Sequence, residues 1–451
     1  MSTAHTARRS TAAAIVAVAA LLLTACAAGP IEPMTLTVAT ALPLTGDPQV
    51  SDDEEGAEAP GRVPLTGSGP AAEAGVALAI QHINAAGVPL TAQASYHDAG
   101  AGDATLIRAL AGQLGAANVV IGPNDPAQTQ AVLAELTESK TLIVSPGDTT
   151  SVANTWEDAG LYWRTAAPET LQAGAIAERL PLGSIANLVI VTINDDRHKE
   201  LVRAITSKVN AEGSRILEAI AIDPEAGIFF ATADKALAWK GDGIIVLAGP
   251  HESGSLVDIL LGAGYPADQI TLVDENLVSY QDAPLNRSFA GVQGIAPRPQ
   301  LPEAFQQELR EAYVALHPEL AETDPDLTVL GDLRGAAEAY DAVVTAALAA
   351  MAARSVQGDA IAGKLIEVTT TREGAVTCTS FAACAKLLID GQQIDYNGVT
   401  GGIAFGRDRT PTEFTIPTFV YSKDRTFSVV VEQSDDGSGG DSDEATDSTK
   451  D

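Results

Sequence analysis

Apolar residues in this chain gather in short unbroken runs, separated by longer stretches in which they recur every third or fourth position. Residues 119–121 (Val-Val-Ile), 142–144 (Leu-Ile-Val), 188–193, 216–222, 243–247 and 270–273 are such runs. Short apolar runs without alternation predict strands buried on both faces, as in parallel sheet. Residues 34–42 and 92–96 read as two further strands. Between the strands, helical spacing predicts helices over 71–86, 104–114, 127–137, 171–180, 199–211 and 256–262. In the first of these Val76, Ile80 and Ile83 share one face and Gly87 is the stop. Strand–helix–strand units cross over right-handedly and put helices on both sheet faces. The rhythm holds too many strands for one sheet of ordinary width. The expectation is an α/β protein of two doubly wound parallel-sheet lobes, with a break near residues 162–165. No repeat of solenoid length is present.

Two segments leave this rhythm. Residues 46–70 carry Asp52, Asp53, Glu54, Glu55 and Glu58 among Gly, Pro and Ser, and read as a solvated acidic insertion. Residues 433–451 are acidic and rich in Gly and Ser, with too little apolar surface to fold, and read as a disordered tail. The amino terminus is an address. Arg8 and Arg9 precede an apolar and small-residue run over 11–23, which ends in Leu23-Thr24-Ala25-Cys26. The run suits a signal peptide and is too short to span a bilayer. The ending resembles a bacterial lipobox, which implies removal of 1–25, acylation of Cys26 and a tether over 26–33. The location implied is extracytoplasmic, with the protein held to the membrane by lipid. No later stretch reaches 18 uncharged apolar residues.

The charge balance excludes several partners. With 27 basic and 59 acidic residues the net charge is −32, which repels nucleic acid and anionic lipid alike. Cys26 aside, the remaining cysteines are Cys378 and Cys384. In an exported chain they read as a disulfide closing a small loop, worth about 2.4 kcal/mol by chain entropy; two free thiols in a helical turn are the alternative.

Ligands meet open parallel sheets at the carboxyl ends of strands. After 119–121 come Asn124, Asp125 and Thr129, in a glycine turn that opens a helix. After 142–144 come Gly147, Asp148 and Thr149. Arg197 follows 188–193, His251 follows 243–247, and Glu275 follows 270–273. Each has a plainer reading as a turn, a helix cap or solvated surface. Catalytic signatures are lacking. His251-Glu252 starts like a zinc-protease motif but Ser255 stands where the second His belongs. There is no nucleophile elbow and no phosphate loop, so neither an enzymatic activity nor a cofactor is expected.

Several pieces, in order, resemble one family. They are Ala41-Leu42-Pro43-Leu44-Thr45-Gly46, the helix from Gly75 through Ile83-Asn84-Ala85-Ala86-Gly87, Asp98, Ile121-Gly122-Pro123, Ser145-Pro146-Gly147-Asp148-Thr149, Arg164-Thr165, Ala339-Tyr340-Asp341-Ala342-Val343 and Gly398-Val399-Thr400-Gly401-Gly402-Ile403-Ala404-Phe405. Over residues 36–432 the chain resembles type I periplasmic binding proteins, in the leucine/isoleucine/valine-binding branch of ABC-transporter substrate-binding lipoproteins. The resemblance implies two lobes joined by three crossings near 165, 297 and 418. The first lobe would be 34–165 with 298–417, the second 166–297 with 418–432.

It also implies a site. The ligand carboxylate is usually held by a Ser, which falls here on Pro126, and by a Thr, matched by Thr149. The ammonium is met by a carbonyl, matched by Gly147, and an acid, matched by Glu275. The family's second-lobe aromatics fall near Arg197 and His251. Pro126 has neither a hydroxyl nor an N–H, a departure from that pattern, and Asp148 adds a carboxylate to the rim. The function implied is capture of a small polar solute, such as a branched-chain amino acid or amide, for ABC permease subunits. A surface sensor of the same fold, uncoupled to transport, is the alternative.

Overall fold

Strand Met34–Thr40 (β1) alternates its apolar side chains between two faces, and that alternation builds both layers of the first lobe. The computed structural model describes residues 31–46, 63–64, 68–102, 104–180, 187–222, 229–273, 276–297 and 299–430. The signal peptide, Cys26, Glu275, the tail and most of the acidic insertion lie outside the described residues.

Strands β2 (Thr45–Gly46) and β3 (Val63–Pro64) pair only with each other among the described residues. With β4 (Leu90–Ser95), β5 (Val119–Ile121), β6 (Leu142–Ser145) and β7 (Tyr162–Arg164), β1 forms an all-parallel sheet in the order β4-β1-β5-β6-β7. Register places Ala39, Val120, Ile143 and Tyr162 side by side. That row packs under helices Ala104–Leu114 and Pro126–Glu138. Val38, Val119 and Leu142 face the other way, into a core shared with helices Ser68–Ala85, Glu303–Leu316, Ala336–Ala353 and Phe381–Ile389. Helix Ala336–Ala353 is long and apolar enough to cross a membrane by composition, but 89% of it is buried in this core.

The second sheet repeats the plan. Its order is β17-β16-β12-β11-β10-β8-β9, with β8 Asn187–Ile193, β9 Arg215–Ile222, β10 Gly243–Leu247, β11 Ile270–Val273 and β12 Gln293–Ile295 all parallel. Antiparallel β16 (Thr418–Tyr421) and β17 (Phe427–Val429) complete one edge, which the apolar pattern did not predict. Val189, Ile244 and Ile270 stand in one row against helices Phe229–Ala238 and Pro250–Gly262. Ile190 and Ile245 face helices Glu169–Arg179 and Asp196–Ala211. The chain passes between the sheets three times: from Arg164 to Glu169, from Ile295 to Glu303, and from Gly402 to Thr418.

Further details differ from the sequence expectation. The stretch read as insertion up to residue 70 already belongs to a helix from Ser68, whose Gly69 lies so close to Pro43 O that a Cβ would come within 2.0 Å. A small sheet of β13 (Ala375–Cys378), β14 (Gln393–Gly398) and β15 (Gly401–Gly402) was also not foreseen. Cys378, at the end of β13, is disulfide-bonded to Cys384 in the following helix.

Candidate functional site

Both sheets are doubly wound, so each has one point where the chain turns from one direction across the sheet to the other. In the first it lies between β1 and β5, in the second between β8 and β10. Loops at the carboxyl ends of those strands diverge there and leave a crevice. The two crevices open on one cleft of about 960 Å³. The first lobe contributes Pro43, Asn124, Pro126 and the turn 146–150, and the second contributes Arg197, Pro250 and Phe427.

The first-lobe turns are held from beneath. Ser145, fully buried, donates from Oγ to Pro123 O (2.7 Å) and accepts from Asp148 N–H (3.1 Å), tying the loop after β5 to the loop after β6. Asp125 caps helix Pro126–Glu138, its Oδ1 accepting from Gln128 N–H at 2.9 Å. Gly147 lets Asn124 lie flat on the turn: a Cβ there would stand 2.6 Å from Asn124 Cγ. Asn124 Oδ1 is buried without a hydrogen-bond partner.

Asp98 fastens the neighbouring 42–45 loop, accepting from Leu44 N–H (3.0 Å), Thr45 N–H (3.1 Å), Gly100 N–H (2.8 Å) and the Thr45 hydroxyl. Burial works to raise its pKa, but these bonds together hold its carboxyl below the usual range. On the facing side Arg197 Nε lies 3.8 Å from Oε1 of the buried Glu169, which also accepts from Thr149 Oγ1 at 3.3 Å.

The sequence profile described as receptor family ligand binding region matches residues 71–419. The chain belongs to this family. Its fold is that of type I periplasmic binding proteins. Among solved structures it is similar to the branched-chain amino acid transporter substrate-binding protein LivJ from Streptococcus pneumoniae in complex with isoleucine (TM-score 0.59, 19% identity, covering 88% of this chain and 99% of that one). It is also similar to an ABC-transporter solute-binding protein from R. palustris in complex with benzoate (TM-score 0.58, 14% identity, 88% and 96%). A third is a fatty acid ABC transporter substrate-binding protein from Thermomonospora curvata (TM-score 0.57, 15% identity, 88% and 93%). No curated protein matches the chain by sequence.

Within this ligand-binding region, the cleft brings together six of the residues singled out from sequence: Asn124, Asp125, Gly147, Asp148, Thr149 and Arg197. Asp148 needs correction as an added rim carboxylate. Its side chain turns inward, where Oδ2 accepts from Tyr162 OH (2.7 Å) and Oδ1 from Thr150 N–H (2.9 Å) and Oγ1 (2.7 Å). Burial, and then the Asp148 charge, push the Tyr162 hydroxyl well above its ordinary pKa.

Thr129 is not on the cleft lining. It is fully buried and donates to Asp125 O at 3.1 Å, closing the first helical turn. His251 also stands off the lining. It is exposed, its ring edge-on to Phe229 at 5.9 Å, while Pro250 occupies the wall, because the helix starts at Pro250 rather than near residue 256. Two stretches of wall were missed: Leu301, Gln306 and Arg310 around helix Glu303–Leu316, and residues 330–338 with Asp332 and Arg334. The first follows β12, a three-residue strand that the apolar pattern did not reveal, and the second follows a helix, so strand ends did not point to them. The signal present was the charged pair Asp332 and Arg334 set between Gly331 and Gly335.

Proposed function

We propose that the chain is a lipid-anchored extracytoplasmic solute-binding protein of an ABC importer, closing on a small polar solute and transforming nothing. The closing bodies are residues 34–165 with 298–417, and 166–297 with 418–432. The observation that carries this reading is the meeting of both sheets' switch points at a single cleft. A solute touching both walls favours the closed form by the difference between its affinities for the two forms. The permease then reads the closed form. The solved relatives found with isoleucine and benzoate bracket the size and polarity of the solute class.

A thermal-shift panel of branched-chain amino acids, small amides, benzoate and 4-hydroxybenzoate tests the reading. A binder at 100 times its Kd adds about 2.7 kcal/mol. Gly147→Val drives a side chain into Asn124 and is expected to weaken that binder at least tenfold. Absence of a shift with every member, or full retention of affinity in Gly147→Val, contradicts the cleft assignment. The anchor has its own test: Cys26→Ala is expected to release the protein from membranes into the soluble extract, and unchanged membrane retention removes it. One acyl chain gives only marginal attachment, so a diacylglyceryl-type modification is what the anchor requires.

A further inference from the structure

Charged groups on the cleft wall are almost all engaged within the chain. Asp125 caps a helix and Asp148 holds Tyr162 and Thr150. Arg197 pairs with Glu169, and Arg334 with Asp332. Glu338 also interacts within the chain. Arg310 is different. It is half-buried on helix Glu303–Leu316, one turn from Gln306, and both line the cleft. Among the described residues it has neither a hydrogen bond nor an ion-pair partner. In a chain with 59 acidic and 27 basic residues, a carboxylate for it would be easy to supply. A guanidinium cannot shed its charge, so Arg310 stands on the wall as a fixed cation with its donors open to an anion.

The rest of the wall restricts what that anion is. Pro43, Pro126, Pro146, Pro250, Pro297 and Pro299 line the cleft. Prolines offer an apolar surface with no N–H donors. Asn124 Oδ1 is a buried acceptor without a donor. The protein's net charge of −32 penalises approach of multiply charged anions more than of single ones. The hydroxyl the family would offer a carboxylate at Thr149 is spent on Glu169, and its partner position is Pro126. An ammonium finds no unengaged carboxylate on the described wall.

From these observations, and resting on the solute-binding reading above, we infer that the cleft selects a singly charged carboxylate. The solute has an apolar body and one neutral hydrogen-bond donor, as in a hydroxy acid. Arg310 is its anchor, gripping both carboxylate oxygens in the fork geometry a guanidinium offers. Arg310 thus sets specificity on a helix that carries none of the residues the sequence pointed to.

Isothermal titration of the mature protein with 2-hydroxyisocaproate and 4-hydroxybenzoate, their uncharged amides, and leucine tests this. At least one hydroxy acid is expected to bind ten or more times tighter than its amide. Arg310→Gln is expected to erase that preference, and Arg310→Lys to keep part of it, with unligated melting temperatures unchanged in both. The inference is overturned if the amide matches the acid, if Arg310→Gln holds the acid within twofold, or if neither acid binds. It is also overturned if leucine binds tighter than 2-hydroxyisocaproate. Leucine or an amide binding tightly leaves the solute-binding reading standing while removing the carboxylate assignment. Failure of every charge class counts against both.

Discussion

Asp341→Ala is expected to lower the unfolding free energy by more than about 3 kcal/mol, because the change strands four donors at once, three of them buried. Asp341 sits in the second turn of helix Ala336–Ala353 and is fully buried. It accepts from Tyr396 OH (2.7 Å), Val399 N–H (3.1 Å), Thr400 N–H (2.9 Å) and Thr400 Oγ1 (2.7 Å). Those bonds fasten the β14–β15 turn to the helix. Urea denaturation of unligated protein measures the loss, and a change below about 1 kcal/mol contradicts the account.

The same residue gives a pH dependence. Burial raises the Asp341 pKa, against the lowering effect of the bonds from Thr400, Tyr396 and Val399. The folded state then binds the proton more tightly than the unfolded state, so this group's contribution grows as pH falls from the raised folded pKa toward the unfolded value. Asp341→Asn does not titrate. The difference between the wild-type and Asp341→Asn stability profiles is therefore expected to widen in favour of wild type over that acid window.

Asp148→Ala is expected to cost about 2–3 kcal/mol in the absence of any solute. Its carboxylate supports Tyr162 and Thr150 from inside, so the loss falls on the unligated fold. A carboxylate serving only as a ligand contact would behave in the opposite way, changing affinity while leaving unligated stability alone. Comparing the unligated melting free energy with binding of a panel solute separates the two roles. Undiminished stability returns Asp148 to the rim.

The parts of the fold that could be read from sequence share one property: each strand from β5 to β11 is either an unbroken apolar run or sits beside one. Val119–Ile121 and Gly243–Leu247 are buried on both faces, so burial alone dictates their composition. After residue 273 that rule stops working. β12 is three residues long and includes Gly294, and helix Ala336–Ala353 is buried on every side, leaving no solvent face and no period to detect. The resemblance marked Ala339–Val343 where the pattern did not. The site divides in the same way. Asn124 and Gly147 were legible because a glycine-rich turn after a buried strand marks the open edge of a parallel sheet. Arg310 was not, since it reaches the cleft from a helix laid down after the second crossing. Thr129 and His251 were placed on the cleft by distance from a strand end. Their positions in the first turns of their helices decide otherwise: Thr129 bonds back to the cap residue's carbonyl, and Pro250 takes the wall ahead of His251.

Everything functional here depends on the two sheets moving as separate bodies around their three crossings. Small-angle X-ray scattering of the mature protein, with and without the panel solute giving the largest thermal shift, measures that motion directly. The radius of gyration is expected to fall at saturation and to recover when the solute is removed. A radius of gyration unchanged at saturating solute contradicts it.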